Sequence, residues 1–393
     1  MIIQLVDIFY PNVFRRYGAK YNIFRNLYEK DLLGLEIRDI DFKFAQKVKK
    51  IILTNEEICY LNIKENKQIV DLLALGSYGV FKELAKEIIA LGNEDVGFKI
   101  KKVIQSVNEY ENNSFSIAGK CYGLEKTYLM GILNVTPDSF SDGGKYYQVN
   151  DAVKHGIQLL EDGADILDIG GESSRPGSKP ITAEEEIKRV VPVIEKILEI
   201  KPDAVISIDT MKSNVAEETL KLGAKIVNDI SAFENDKNML DVVKKYDAAL
   251  ILMHMKGTPE NMQENPSYED VVSEIYDYLV NKTEIAKRNG VKDIIIDPGI
   301  GFGKRVIDNY EIIKRLNEFK GIGYPIMLGL SKKSFIGKTL NLATGDREEP
   351  TIVAEAISIK NGARIIRTHN IKKAKVAMNI TQFIENPELV INV

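Results

Sequence analysis

Acidic and amide side chains follow apolar runs repeatedly in the second part of the chain. The run Asp293–Asp297 contains three consecutive isoleucines and ends on Asp297, and Pro298 and a glycine-rich turn come directly after it. Three isoleucines in a row suit a strand covered on both faces, and Pro298 with the glycines prevents simple continuation of that strand. An aspartate before Pro-Gly also occurs in ordinary turns, so this segment alone does not distinguish a turn from a binding site.

The same pattern recurs after other apolar runs. The polar groups at the ends of these runs are Asn134, Gly170–Arg175, Asp209, Asn228 with Asp229, His254, Asp297, Ser331–Ser334 and Arg367–His369. A single polar residue at a strand end is usually a satisfied loop cap. Eight strand ends with such residues indicate one shared pocket that presents carboxylates, amides and cations to a ligand.

Alternating strand-like and helix-like runs after Thr127 provide the elements that position these groups. The strand-like runs are Tyr128–Val135, Ala164–Gly170, Ala204–Asp209, Ala224–Asp229, Ala248–His254, Asp293–Asp297, Tyr324–Ser331 and Ala363–His369. The helix-like runs include Asn150–Asp162, Thr182–Ile200, Asn214–Lys221, Tyr268–Asn289 and Pro350–Lys360. Eight such units predict an α/β fold, a (β/α)8 TIM barrel, with the polar strand ends on its C-terminal face. An open doubly wound sheet is the alternative, but the first strand lacks a dinucleotide glycine fingerprint.

The residues before the barrel predict a second, smaller domain. We assign 1–113 to an N-terminal accessory α+β domain of unknown function and 114–393 to the barrel, with an N-terminal hairpin at Ser114–Leu124. The segment Tyr78–Leu91 has the periodicity of an amphipathic helix. The first 113 residues contain neither a glycine-rich phosphate loop nor a cluster of acids and histidines, which favours an accessory or oligomerisation role over a second active site.

Composition excludes several classes of partner. The 393 residues are 44% hydrophobic and 28% charged with a formal net charge of -4, so neither nucleic acid nor an acidic membrane is an expected partner. The start of the chain lacks signal-peptide features and no apolar run is long enough for a membrane span, so we expect a cytoplasmic protein. Cys59 and Cys121 are too few for a disulfide framework, and the three histidines do not form a helical zinc motif.

Seven ordered segments together resemble the dihydropteroate synthases, a family of the pterin-binding TIM-barrel superfamily, over roughly Phe115 to Ile384. The segments are Met130–Gly144, Asp168–Gly177, Ser207–Lys212, Leu252–Gly257, the Asp297 loop, Ser331–Ser334 and Arg367–His369. Three positions depart mildly from the family pattern: Ser174 stands in place of Thr, Lys332 in place of Arg and Asn370 in place of Asp. The resemblance implies joining of 6-hydroxymethyl-7,8-dihydropterin diphosphate to 4-aminobenzoate, with release of diphosphate, in folate biosynthesis.

The resemblance also implies roles for individual residues. Asp297 would accept two hydrogen bonds from the amide and amino edge of the pterin, and Asp209 and Asn228 would complete the ring contacts. Lys333 would donate to the pterin and lie beside the aminobenzoate. The expected catalytic residues are Asp209, Lys333, Arg367 and His369. The expected substrate-binding residues are Ser174, Arg175, Asp209, Asn228, Asp297, Phe302, Lys333, Ser334, Arg367, Thr368 and His369.

Diphosphate departure requires positive charge, which the resemblance assigns to Arg367 and His369 with Mg²⁺ at Asn134. The segments Asp138–Tyr146 and Gly171–Pro180 are long and polar and are predicted to be active-site lids. Family membership further implies a homodimer and a target for sulfonamides.

Two other functions remain open from the sequence. A methyltetrahydrofolate-to-corrinoid methyltransferase shares the barrel and the Asp/Asn pterin edge, but it would not need the diphosphate-binding residues. A non-catalytic pterin-binding protein, acting through its N-terminal domain, would not need all of the polar residues at the strand ends.

Overall fold

The computed structural model describes residues 1–23, 33–54, 58–63, 68–136, 145–174 and 177–390. The chain divides into two compact units, Met1–Tyr110 with Asn317–Gly323, and Glu111–Leu316 with Tyr324–Val393. The division into 1–113 and 114–393 stays a prediction. The grouping of Asn317–Gly323 with the first unit adds a segment that no sequence pattern had indicated.

The first unit is an antiparallel sheet with helices. Its strands are β1 (Ile2–Val6), β2 (Leu33–Asp41), β3 (Ile58–Ile63) and β4 (Ile69–Gly76), and its helices are α1 (Pro11–Tyr21), α2 (Phe42–Thr54), α3 (Tyr78–Ala90) and α4 (Glu94–Asn108). The strand order is β1-β2-β4-β3. Helix α3 begins after Ser77, whose side chain accepts a hydrogen bond from the Val80 amide, and buries Phe81, Leu84 and Ile88 at helical spacing. The predicted amphipathic helix is therefore present.

A buried carboxylate organises polar groups inside the first unit. Glu36 on β2 is 0% exposed and accepts hydrogen bonds from the hydroxyls of Tyr17 at 3.1 Å and Tyr21 at 2.7 Å. Lys20 Nζ lies 2.7 Å from Glu36 Oε1, and the Arg38 guanidinium pairs with the second carboxylate oxygen. Burial raises the pKa of Glu36, but Arg38 and Lys20 outweigh it and lower the pKa below the usual value.

We expect Glu36→Gln to destabilise the first unit by about 3 kcal/mol, because the buried Arg38 loses the negative charge of the carboxylate that it contacts. A lowered pKa means that the carboxylate contributes stability above the ordinary glutamate pKa and that this contribution disappears as the pH falls through the lowered value. Amide hydrogen exchange should therefore accelerate in Met1–Tyr110 at neutral pH, with barrel peptides as the internal reference. Exposed Glu87→Gln is the matched control, and unchanged exchange in the Glu36 variant would contradict the prediction.

The second unit is a hairpin followed by a closed barrel. The hairpin consists of β5 (Ser114–Ile117) and β6 (Lys120–Gly123). The barrel strands are β7 (Tyr128–Asn134), β8 (Ile166–Gly170), β9 (Ile206–Asp209), β10 (Ile226–Asp229), β11 (Ala249–Met253), β12 (Ile294–Asp297), β13 (Ile326–Gly329) and β14 (Ala363–Thr368). The helices are α5 (Lys145–Glu161), α6 (Ala183–Ile200), α7 (Ser213–Leu222), α8 (Met239–Lys245), α9 (Val271–Arg288), α10 (Val306–Lys314), α11 (Ser334–Leu340), α12 (Glu348–Lys360) and α13 (Ile371–Glu385). All eight strands pair in parallel and the sheet closes between β14 and β7, so the predicted TIM barrel is confirmed.

The two ends of the barrel differ in chemistry. Ile166, Ile226 and Ile365 lie early in their strands and pack in one apolar cluster with Ile117 and Tyr122 of the hairpin. The hairpin therefore covers the N-terminal end of the barrel. The C-terminal end is left for polar groups, as expected for this fold.

Strand register brings those polar groups into rows. Asn134 pairs with Gly170, Gly170 with Asp209, and Asp209 with Asn228 across β7 to β10. On the other side of the barrel Met253 pairs with Asp297, and Gly329 pairs with Arg367. The shared register explains how residues far apart in sequence form one site.

The longest helices that the structure describes, α6 and α9, have 18 residues each. Both are amphipathic, with buried apolar residues on one face and charged residues elsewhere. No described helix is long and apolar enough to cross a membrane. The cytoplasmic location stays a prediction.

Candidate active site

Four side chains from four strands form a cluster at the C-terminal end of the barrel, here called the Asp168 cluster: Asp168, Asp209, Asn228 and Arg367. Arg367 bridges the two acids, with Nε 2.5 Å from Asp168 Oδ2 and Nη2 2.7 Å from Asp209 Oδ2. Asn228 Nδ2 donates to the same Asp168 oxygen at 3.0 Å. A guanidinium fixed by two carboxylates has a defined orientation in the pocket.

The Asp168 cluster also contains acceptors that no described residue satisfies. Asp168 Oδ1 and Asn228 Oδ1 are buried without a hydrogen-bond partner in the described part of the chain. Ser207 Oγ, two residues before Asp209 on β9, is also buried without a hydrogen-bond partner among the described residues. Leaving a buried acceptor unpaired costs about 1–3 kcal/mol. An ordered water molecule is the usual partner of such enclosed oxygens.

Electrostatics in the pocket reflect burial and opposed charges. Burial raises the pKa of Asp209 above its usual range, Arg367 opposes the rise, and Asp168 adds to it. Burial, followed by the Arg367 charge, lowers the pKa of Lys333 to about 8, while Asp297 and Asp209 raise it. Lys333 therefore stays mainly an ammonium at pH 7, close to the point at which it releases its proton.

Asp297 closes β12 and begins a tight turn. Its Oδ1 accepts a hydrogen bond from the Gly299 amide at 2.7 Å, and its side chain is buried. Burial raises the pKa of Asp297, and the Gly299 N–H and Lys333 reduce that rise. Lys333 Nζ lies 4.1 Å from the centre of the Phe302 ring. The turn thus places a carboxylate, an aromatic face and an ammonium beside one another.

Three residues predicted to bind substrate, His369, Thr368 and Ser334, lie in different surroundings. His369 Nδ1 lies 2.9 Å from Ser331 Oγ, so a hydroxyl on the loop after β13 orients the imidazole. Thr368 is buried beside Glu355 on α12, whose pKa burial raises to about 7. Successive side chains on a strand point to opposite faces, so Thr368 lies away from Arg367, and its substrate contact stays a prediction. Ser334 is exposed at the start of α11.

The loop after β8 is anchored through Glu172. One Glu172 oxygen accepts from the Ile181 amide at 2.8 Å, and the other lies 2.7 Å from Lys212 Nζ. Lys212 also lies 2.6 Å from Glu186 Oε2 on α6. Ser174 is half-buried within this loop, whereas Arg175, also predicted to bind substrate, lies outside the described residues.

The other predicted lid, Asp138–Tyr146, lies mostly outside the residues that the structure describes. Asn134, at the end of β7 before that loop, is half-buried. Among the described residues, no group of three or more His, Cys, Asp or Glu side chains is placed to hold a metal ion.

The structure brings together most of the predicted pocket. Asp209, Asn228 and Arg367 share the Asp168 cluster, and Lys333 and Phe302 stand beside the Asp297 turn. Sequence reasoning missed Asp168 as a site residue, although it is the centre of the cluster. The available signal was a carboxylate inside the apolar strand β8, where an ionised side chain needs a partner.

Comparison with known proteins assigns the family. The family model for the pterin binding enzymes matches residues 130–369. A dihydropteroate synthase of Clostridium beijerinckii is 45% identical over 263 residues, covering 66% of this chain and 95% of that protein. A Yersinia pestis dihydropteroate synthase solved with a sulfonamide drug superposes with a TM-score of 0.66 at 36% identity, covering 70% of this chain and 99% of the other. A Xanthomonas albilineans dihydropteroate synthase in complex with 7,8-dihydropteroate gives a TM-score of 0.62 at 34% identity, with coverage of 70% and 99%.

The closed barrel with polar strand ends and the family match together define a pterin binding enzyme. The relatives share one further property, which is that each is named a dihydropteroate synthase. The chain belongs to the dihydropteroate synthases within that family.

Proposed function

We propose that the C-terminal face of the barrel joins 6-hydroxymethyl-7,8-dihydropterin diphosphate to 4-aminobenzoate through loss of diphosphate. The observation that supports this most is the Arg367 guanidinium, which Asp168 and Asp209 hold at the strand ends beside Asn228. A pterin carries adjacent N–H donors, and its diphosphate carries the negative charge that a guanidinium binds. One ligand therefore matches both halves of the pocket.

Pterin recognition uses the acids and the amide. Asp297 accepts from the amide and amino edge of the ring, while its Oδ1 keeps the Gly299 bond and still has a second lone pair. Asp209 and Asn228 contact the rest of the ring, and Asp168 orients Asn228 and Arg367. An analogue without the matching donors leaves these buried acceptors unpaired, which gives selectivity.

Bond cleavage then places positive charge on the pterin methylene as the diphosphate leaves. Arg367 and His369 receive the departing anion, and the Asp209 and Asp297 carboxylates stabilise the developing cation. Lys333 and the Phe302 ring, which are in direct contact, lie beside the aminobenzoate. The aromatic amine is neutral near pH 7, so it attacks the methylene carbon without a dedicated base, in an SN1-like path. The protonated secondary amine that forms then loses its extra proton to solvent.

The residues at the end of β7 fit Mg²⁺ bound mainly through the substrate. Asn134 offers one hard amide oxygen, and the described residues provide no cluster of carboxylates beside it. Magnesium typically keeps several waters and uses few protein ligands when it binds with phosphates. When bound, it would neutralise diphosphate charge; Asn134 would orient it.

A turnover assay distinguishes the proposed synthase activity from the two alternative functions. Purified protein with pterin diphosphate, 4-aminobenzoate and magnesium should release dihydropteroate and diphosphate in equal amounts. A corrinoid methyltransferase would instead demethylate methyltetrahydrofolate in the presence of cobalamin. A non-catalytic pterin-binding protein would catalyse neither reaction. Demethylation, or the absence of both reactions, would overturn the proposal.

Sulfonamides should bind more tightly once the pterin and diphosphate sites are filled. We propose that the loop carrying Ser174 and Arg175 closes over diphosphate and completes the aminobenzoate pocket, which sulfonamides share. A ligand that needs the closed state loses affinity in proportion to the small population of that state in free enzyme, so we expect a gain of about tenfold or more. Titration into free enzyme and into enzyme with pterin, diphosphate and magnesium measures it, and equal affinities would contradict loop closure.

An apolar surface on α12 and α13 supports a homodimer. The helices expose Val353, Ile357, Val376, Ile380, Phe383 and Ile384. On α13, Val376, Ile380 and Ile384 follow one another at a spacing of four, so they form one stripe. Contiguous apolar surface of this kind marks a protein interface. A second copy of the chain is the occupant that the family resemblance indicates.

Ile380→Arg should convert the dimer to a monomer. Ile380 is 52% exposed at the middle of the stripe, so a buried, unpaired arginine there would disfavour association. Light scattering coupled to size exclusion should give the mass of one chain for this variant and of two for the parent. Ile285→Arg on α9, also exposed, is the matched control, and a dimeric Ile380 variant would contradict the assignment.

A further inference from the structure

Lys304 ends the glycine-rich turn after β12 and has no role in the chemistry above. Its side chain is 3% exposed. Nζ lies 2.9 Å from the Phe302 carbonyl oxygen, 3.0 Å from His254 Nδ1 and 3.2 Å from the His254 carbonyl oxygen. An ammonium has three N–H donors and no acceptor, so these three groups satisfy Lys304 completely.

His254 follows β11 and is also buried. Its ring stands edge-on to Tyr278, with centroids 4.8 Å apart and an interplanar angle of 86°. His254 Nδ1 accepts from the Lys304 ammonium only if it carries no proton, so the ring is neutral with its hydrogen on Nε2. Burial, and then the positive charge of Lys304, lower the pKa of His254 well below the usual value, in agreement with a neutral ring.

The turn that Lys304 closes lies very near the His254 segment. Gly299 has a φ of +72°, and a Cβ there would overlap the His254 carbonyl oxygen. Gly301 has a φ of +81°, and a Cβ there would lie 3.2 Å from Lys333 Cδ. The backbone of the turn is thus packed between the loop after β11 and the side chain of Lys333, where a small shift of the turn would displace Lys333.

Lys304 ties two successive loops together. It binds the carbonyl of Phe302, after β12, and both the carbonyl and the ring of His254, after β11. The Phe302 amide in turn donates to the Gly299 carbonyl at 3.1 Å. Hydrogen bonds therefore fix both the amide and the carbonyl group of Phe302. Its ring lies over Lys333 Nζ, 4.1 Å from the ring centre.

We infer that Lys304 and His254 are positioning residues that hold the Phe302 ring against Lys333 and so shape the 4-aminobenzoate side of the pocket. The inference rests on the proposed function, because that function places aminobenzoate beside the contacting pair Phe302 and Lys333. Neither residue touches the reacting atoms. Their effect passes through Phe302, so their loss should act on one substrate more than on the other.

Several charged groups face Lys304 and set its protonation. Burial lowers its pKa to about 7; Lys333 and Lys256 act in the same direction, while Asp297 and Asp308 oppose them. At pH 6 the ammonium is therefore the main form. An ordinary histidine is largely protonated at that pH, which makes pH 6 the condition that separates His254 from an unperturbed imidazole.

Imidazole ¹⁵N NMR tests the contact without any turnover. The chain has three histidines, so His155→Gln and His369→Gln assign all the signals. At pH 6 the His254 ring should be neutral with its proton on Nε2. Lys304→Met, which keeps the length and removes the charge, should raise the pKa of His254, while the exposed control Lys287→Met should not. A proton on Nδ1 in the parent protein, or an unchanged pKa in Lys304→Met, would overturn the inference.

Kinetics separate positioning from simple stabilisation. Lys304→Met should raise KM for 4-aminobenzoate about tenfold, and it should raise KM for pterin diphosphate by less. Phe302→Ala should have the same signature, and the double variant should add no further loss because both changes act on one ring. An unchanged aminobenzoate KM per folded molecule would overturn the inference. If the parent protein makes no dihydropteroate, the proposed function fails, whereas the NMR result still decides the Lys304–His254 contact.

Discussion

Asp297→Asn should weaken pterin binding by at least about 100-fold, or ~3 kcal/mol, while the barrel stays folded. The carboxamide oxygen of this variant can keep the Gly299 hydrogen bond, so the turn needs no rearrangement. The carboxamide nitrogen, however, presents a donor to the donor edge of the pterin, and one buried acceptor is lost. The change is therefore confined to ligand recognition.

Calorimetric titration with a pterin measures this loss directly. Asp293→Asn, the same change at the other end of the β12 segment, is the matched control and should leave affinity unchanged. Near-ultraviolet circular dichroism and thermal unfolding report whether each variant is folded. A folded Asp297 variant that binds the pterin as tightly as the parent protein would rule out the assigned role.

Arg367→Ala should lower kcat/KM for the pterin diphosphate by about 1000-fold, or ~4 kcal/mol, because a fixed cation at the leaving group is lost. The structure adds a second effect that the sequence did not indicate. Arg367 also balances Asp168 and Asp209, and Arg367 is the group that opposes the raised pKa of Asp209. Removing it should raise that pKa further, so a pterin without diphosphate should also bind less well near neutral pH.

The pH dependence separates the two effects. A raised pKa means that Asp209 regains its carboxylate as the pH increases, so pterin binding by the Arg367 variant should recover at alkaline pH. The defect with the diphosphate substrate should persist, because no cation returns to the phosphate side. Exposed Arg288→Ala on α9 is the control for loss of a surface arginine. Equal losses for both ligands at every pH would contradict this division of roles.

Barrel topology was predictable from the sequence because strand-like and helix-like runs alternate eight times, and the polar groups that follow the strand-like runs have no place in an apolar core. The observed strands lie within the eight predicted runs, and parallel register then places Asp209, Asn228 and Arg367 on one face. Residue type and strand position therefore suffice to collect the candidates. Residue type and strand position show where on the barrel a side chain is attached. They do not show which of several nearby groups that side chain contacts.

The features that escaped prediction depend on such partner choices. The role of Arg367 at the diphosphate stays a prediction, but the sequence did not indicate that its guanidinium also binds Asp168 and Asp209. Lys304 sits in a visible glycine-rich motif, but no sequence pattern shows that its ammonium turns back to His254. The segment Asn317–Gly323 joins the first unit through contacts such as Gln4 Nε2 to Glu318 Oε2 at 2.9 Å, which join residues distant in sequence.

The central claim is that the carbon–oxygen bond of the pterin diphosphate breaks and that the aromatic amine takes the place of diphosphate. Substrate labelled with ¹⁸O at the oxygen that bridges the methylene and the phosphorus tests this claim directly by mass spectrometry of the products. We predict that all the label appears in diphosphate, with one dihydropteroate formed for each diphosphate released. Label retained in 6-hydroxymethyl-dihydropterin, without a carbon–nitrogen product, would show phosphorus–oxygen cleavage and contradict the proposed function.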